Sequence, residues 1–72
     1  MSDRKMDTVG DALPREMARV RDVVLPEYDK IPTGIFGATM MRQALDEAAR
    51  SMADGDVVAM IRSLEDLKGW QL

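Results

Sequence analysis

The chain has 72 residues, ten Lys and Arg against thirteen Asp and Glu for a net charge of −3, and neither Cys nor His. One domain near the lower limit for independent folding is what this length holds, and the missing residue types exclude disulfides and remove the usual ligands of a zinc site. With 46% hydrophobic residues the chain is rich enough for a core, and its two charge signs interleave with no basic block to follow a phosphate backbone.

Residues 1–10 read as a polar, flexible arm without the apolar stretch of a signal peptide. No segment approaches the roughly 18–20 uninterrupted apolar residues of a membrane span, so a cytoplasmic location is expected. Asp11 is placed to cap a first helix, with Pro14 in its first turn and Thr8 as the weaker capping alternative. Leu13, Met17, Val20, Val24, Tyr28 and Ile31 then follow at spacings of 4, 3, 4, 4 and 3, a helical stripe. Pro26 falls inside it, lacks an N–H, crowds the carbonyl of Asp22 and pushes Leu25 away from helical angles. The stripe keeps its phase across the proline, which predicts one kinked helix over about 12–30; a stop at Val24 with a short helix from Pro26 is the alternative.

Ile31-Pro32-Thr33-Gly34 breaks the pattern, and Thr33 is placed to cap a second helix running over about 35–53. Gly37 weakens this helix by up to ~1 kcal/mol relative to alanine. Its apolar set is broad: Met40, Met41, Ala44, Leu45, Ala48, Ala49 and Met52. Ala44 with Ala48, and Ala49 with Ala53, permit close helix approach, so this helix is expected at the centre. In Asp54-Gly55-Asp56, Gly55 supplies a left-handed residue ending helix two and Asp56 caps helix three. So short a link makes the two helices antiparallel neighbours. Helix three covers about 57–68, with Val57, Met60, Ile61, Leu64 and Leu67 facing inward. Gly69 is expected to be a second left-handed terminator, with Trp70 folding back near Leu64. Asp46/Arg50, Glu47/Arg50 and Glu65/Lys68 have ion-pair spacing, each worth a few tenths of a kcal/mol. The expected fold is therefore all-α: a three-helix bundle with a C-terminal helical hairpin and a proline-kinked first helix.

Two motifs resemble functional sites and fail on inspection. Asp54, Asp56 and Glu65 match positions one, three and twelve of a calcium loop, but positions five and six are Val58 and Ala59, inside a helical pattern. A helix-turn-helix over Arg50 to Leu64 would have Asp54 and Asp56 around its turn glycine, where apolar residues belong. The basic strip of Arg15, Arg19 and Arg21 is balanced by Glu16 and Asp22. Glu27 with Asp29, and Asp46 with Glu47, do not converge as paired carboxylates. Ser51, Ser63 and Thr39 have no histidine to act as base, and Lys30 and Lys68 sit among acids. The expectation is a non-enzyme with no catalytic residue, cofactor or metal.

Seven methionines are left to explain, and Met17, Met40, Met41, Met52 and Met60 fall on apolar faces. Methionine fills irregular cores and also lines adaptable binding grooves. Adjacent Met40 and Met41 point about 100° apart, so both are buried only if helix two is covered on two sides. Otherwise Ile35, Phe36 and Met40 form a free apolar strip, with Val23 and Leu25 of helix one as neighbours.

Gly34 to Ala38 (G-x-F-G-A), Ala53 to Val58 (A-D-G-D-V-V) and the leucine-rich close before Trp70 resemble a class of short proteobacterial proteins, some encoded in prophage or other mobile regions. The resemblance covers about the last two-thirds of the chain. It implies an accessory interaction protein rather than a metabolic enzyme, and it carries no functional residue over. The expected function is a small non-catalytic protein-interaction module that self-associates, as a homodimer, or meets another protein through Ile35, Phe36, Met40, Val23 and Leu25. A nucleic-acid-associated regulator is the alternative.

Overall fold

Residues 8–72 are described by the structure, a computed structural model. The first helix starts earlier than its proline suggests. Thr8, not Asp11, is the cap: its Oγ1 accepts the Asp11 N–H at 3.1 Å, and α1 runs over Val9–Arg19. Thr8 thus caps the helix and Val9 and Gly10 belong to it rather than to an arm; the rest of that expected arm, residues 1–7, lies outside the described residues. Pro14 consequently sits in the second turn. The bond it cannot make is the one to the carbonyl of Gly10, an exposed residue.

Pro26 neither ends the helix nor pushes Leu25 out of it. The chain continues through a π-helical turn, Val20–Val24, into α2, Leu25–Asp29, and Leu25 keeps right-handed helical angles (φ −57°, ψ −44°). In this turn the Leu25 N–H donates to the carbonyl of Val20, five residues back instead of four. The π turn immediately precedes Pro26, whose ring would crowd the Asp22 carbonyl in a regular α-turn. The extra residue also rotates the downstream face. Val20, Val24 and Leu25 all become buried, and Val23 stays outside. Ile31, expected on the inward stripe, is exposed because the helix has ended and its own backbone is extended (φ −106°, ψ 123°).

A 3₁₀ turn, Pro32–Gly34, leads into α3, Ile35–Asp54. Gly34 occupies the cap position and no side chain caps α3, so Thr33 does not play the part expected of it. The α3–α4 connection is the expected one. Gly55 is left-handed (φ 66°); its N–H donates to the Met52 carbonyl at 3.1 Å and the Asp56 N–H donates to the Ser51 carbonyl at 3.0 Å, a Schellman termination. The Asp56 carboxylate accepts the Ala59 N–H at 3.1 Å and starts α4, Val57–Lys68. Gly69 differs from expectation. It is right-handed (φ −72°); its N–H donates to the Asp66 carbonyl and the Trp70 N–H donates to the Leu67 carbonyl, each at 3.1 Å.

The result is a small all-α bundle whose core consists mainly of Leu13, Val20, Val24, Leu25, Ala38, Met41, Ala44, Ala48, Met60 and Leu67. Helix α3 contacts every other helix, α4 most extensively, while α1 lies along α4 and α2 along the start of α3. Arg19 ties the layers together: its guanidinium bonds Glu16 at 3.0 Å and donates to the Leu67 carbonyl at 3.1 Å. Among the described residues the large side chains wholly out of solvent are Leu13, Met41, Leu67, Val20 and Val24. The radius of gyration, 13.3 Å, exceeds the about 11 Å expected of a globule of this length, so the molecule is elongated. No helix is long and apolar enough to cross a membrane among the described residues.

Candidate interaction surface

The methionine question is decided residue by residue. Met41 is wholly buried and Met60 nearly so, Met17 is half-buried, and Met40 and Met52 reach solvent. Helix α3 is thus covered on one broad side, and the 100° between Met40 and Met41 separates outside from inside. Phe36 is 80% exposed, Ile35 69%, Met40 53% and Val23 50%. Phe36 and Met40 lie one turn apart and share a face; Ile35, next to Phe36 in sequence, faces about 100° away. Leu25 does not belong to this surface. It is only 9% exposed, because the π turn rotates it into the core.

The backbone that presents Phe36 is tightly seated. A Cβ on Gly37 would lie 2.9 Å from Cδ2 and Cε2 of Tyr28, so the absence of a side chain is what lets the tyrosine ring lie against α3. A Cβ on Gly34 would collide with the Tyr28 carbonyl oxygen, which again only glycine allows. Trp70 closes over the other edge. Its ring meets Tyr28 in a T-shaped contact, centroids 6.0 Å apart and planes at 89°. Such a pair adds about 0.5–1.5 kcal/mol beyond the area it buries. Asp29 and Arg42 pair across α2 and α3 at 2.8 Å. Gly34, Gly37 and buried Ala38 therefore serve the packing of G-I-F-G-A, while Ile35 and Phe36 serve nothing inside the fold.

The rest of the surface carries less. Between α3 and α4 runs a groove of about 490 Å³ lined by Arg50, Ser51, Arg62 and Ser63 with four acids around them. It mixes both signs, and no cluster of metal-ligating residues occurs among the described residues. The expected Asp46/Arg50, Glu47/Arg50 and Glu65/Lys68 pairs are not formed; Glu16–Arg19, Arg21–Asp22, Glu27–Lys30 and Asp29–Arg42 are. Two cations of the basic strip, Arg19 and Arg21, are thus turned to acids of their own helix. The hydrogen bond from Arg21, with its charge, holds the exposed Asp22 carboxyl below the usual carboxylate range.

A second apolar patch, missed by the sequence reading, lies at the start of α4. Val57, Val58 and Ile61 are exposed there, although Val57 and Ile61 share the helical phase of the core residues. Their exposure depends on how far the neighbouring helices reach over α4, which periodicity within α4 cannot reveal. Comparison with known proteins gave no match: no family model, no curated protein and no solved structure corresponds to this chain.

Proposed function

We propose that this protein is a small non-catalytic interaction module of the cytoplasm that self-associates through the face around Phe36 and Met40, with Ile35 and Val23 at its margins. The observation that carries the reading is Phe36, an aromatic residue 80% exposed on a helix start that Gly34 and Gly37 hold in place. Large aromatic residues on rigid backbones are the usual anchors of protein interfaces, because little freedom is lost when they dock. The modest core supports the same reading, since association is the form of support still open to a short chain without disulfides or metal.

The test is Phe36→Asp, sized by chromatography with light scattering. Phe36 is in the first turn of α3, where a carboxylate is favoured by about 0.3–1 kcal/mol by the helix dipole, so the variant is expected to stay folded. It is expected to remain monomeric at concentrations where the unaltered chain associates. A folded variant that associates as well as the parent would remove this face from the account.

A further inference from the structure

We propose that Phe36 of one copy seats in a hollow at the α2–α3 connection of a second copy, the two copies exchanging this contact about a twofold axis. The inference rests on the self-association reading and specifies its geometry. The hollow measures about 440 Å³ and lies between Tyr28, Ile31, Thr33, Gly34, Gln71 and Leu72. That volume is in the range that seats drug-sized molecules, ample for one phenyl ring. Among its described lining residues Glu27 alone has a charged side chain, and it is paired with Lys30 at 3.1 Å.

Knob and hollow are neighbours. Phe36 is two peptide steps from Gly34, so their Cα atoms are at most about 7.6 Å apart. A twofold interface exchanges contacts reciprocally, residue i of one copy meeting residue j of the other and j meeting i, and neighbouring partners keep both contacts close to the axis. The Val57, Val58 and Ile61 patch lies instead by the α3–α4 groove, which is lined mainly by polar residues.

Charge favours a second copy as the occupant. Near a twofold axis every charge approaches its own like, and like charges so placed are costly. The eleven residues from Ile31 to Met41 carry no charge in a chain that is 32% charged. The flanking charges are neutralised within each copy, Lys30 by Glu27 and Arg42 by Asp29. The exposed apolar area is modest. An aromatic residue contributes roughly 150–250 Å² when buried, and a specific interface needs about 800 Å² per partner. The dimer is accordingly reversible and concentration-dependent rather than obligate.

Phe36 is the only phenylalanine, so its ring protons are unambiguous in an 8.0 kDa chain suited to NMR. The experiment is an isotope-filtered NOE measurement on an equal mixture of ¹³C-labelled and unlabelled protein. Contacts from the Phe36 ring to the methyls of Ile31 and Leu72 in the other copy are expected. Contacts to Met40, or to Val57, Val58 and Ile61, would overturn the seating and leave self-association standing. Spectra independent of concentration up to millimolar protein would overturn both. Ile31→Glu, at an exposed position, is expected to weaken the dimer about tenfold or more, and Val58→Glu by less than about twofold. Equal effects from the two would also overturn the seating.

Discussion

Replacing Gly37 by alanine sets two effects of opposite sign against each other. In an unhindered helix interior the change stabilises by about 0.8–1 kcal/mol, since alanine loses less backbone freedom than glycine. Here the new Cβ would stand 2.9 Å from two Tyr28 ring carbons and 3.7 Å from Cζ3 of Trp70. Non-bonded carbons settle near 3.5–4.0 Å, so the tyrosine ring has to move by about 0.6 Å or more, and Trp70 blocks part of its retreat. Overpacking of this kind costs about 1–3 kcal/mol, and loosening the aromatic pair adds part of its about 0.5–1.5 kcal/mol. The clash wins, with a net loss of about 1–3 kcal/mol. Urea unfolding followed by far-UV circular dichroism measures it, and the midpoint should fall by about 1 M or more. Gly10→Ala is the control: its Cβ meets only Thr8 Oγ1, at 3.7 Å, and that variant should gain up to about 1 kcal/mol. If Gly37→Ala were as stable as the parent, the Tyr28 ring would not lie against α3, and the argument for a rigidly aimed Phe36 would fail with it.

Gly55→Ala should cost about 1–2 kcal/mol in the same urea assay, wholly from the left-handed backbone, because no atom lies within 4 Å of the added Cβ. Arg19→Met should cost about 1–2 kcal/mol by breaking the tie to the Leu67 carbonyl while keeping much of the aliphatic stem; a neutral result would mean that solvent replaces that bond without loss. Arg21→Gln should raise the Asp22 pKa toward the ordinary carboxylate value in an NMR titration. The sign follows from the direction of the shift. A carboxyl held lower in the folded chain than in the unfolded one contributes stability above the ordinary carboxylate range, and that contribution fades as pH falls through the folded value. An Asp22 titration unmoved in Arg21→Gln would refute the pairing.

Helical periodicity and punctuation made most of the architecture legible. Gly55 and Asp56 announce the α3–α4 turn because each does something few other residues do as well, a left-handed angle and a helix cap. Pro26 was harder to read. A constant 3.6-residue period carries Val24, Tyr28 and Ile31 on one stripe, and it has no place for the extra residue that the π turn inserts. For this reason Leu25 looked available and is buried, while Ile31 looked internal and is exposed because the helix ends before it. Gly37 read as a weakness in α3, because its reason lies nine positions away in the ring of Tyr28. Ile35, Phe36 and Met40 could be named from their crowding on one helix. Which of them the other helices cover depends on where α1 and α4 end, and composition does not encode that.

Sedimentation equilibrium of the unaltered chain over a wide concentration range tests the central claim most directly. Self-association through the Phe36 face predicts a mass that rises from 8.0 kDa toward twice that value as concentration increases. A mass that stays at 8.0 kDa to millimolar concentration would contradict it.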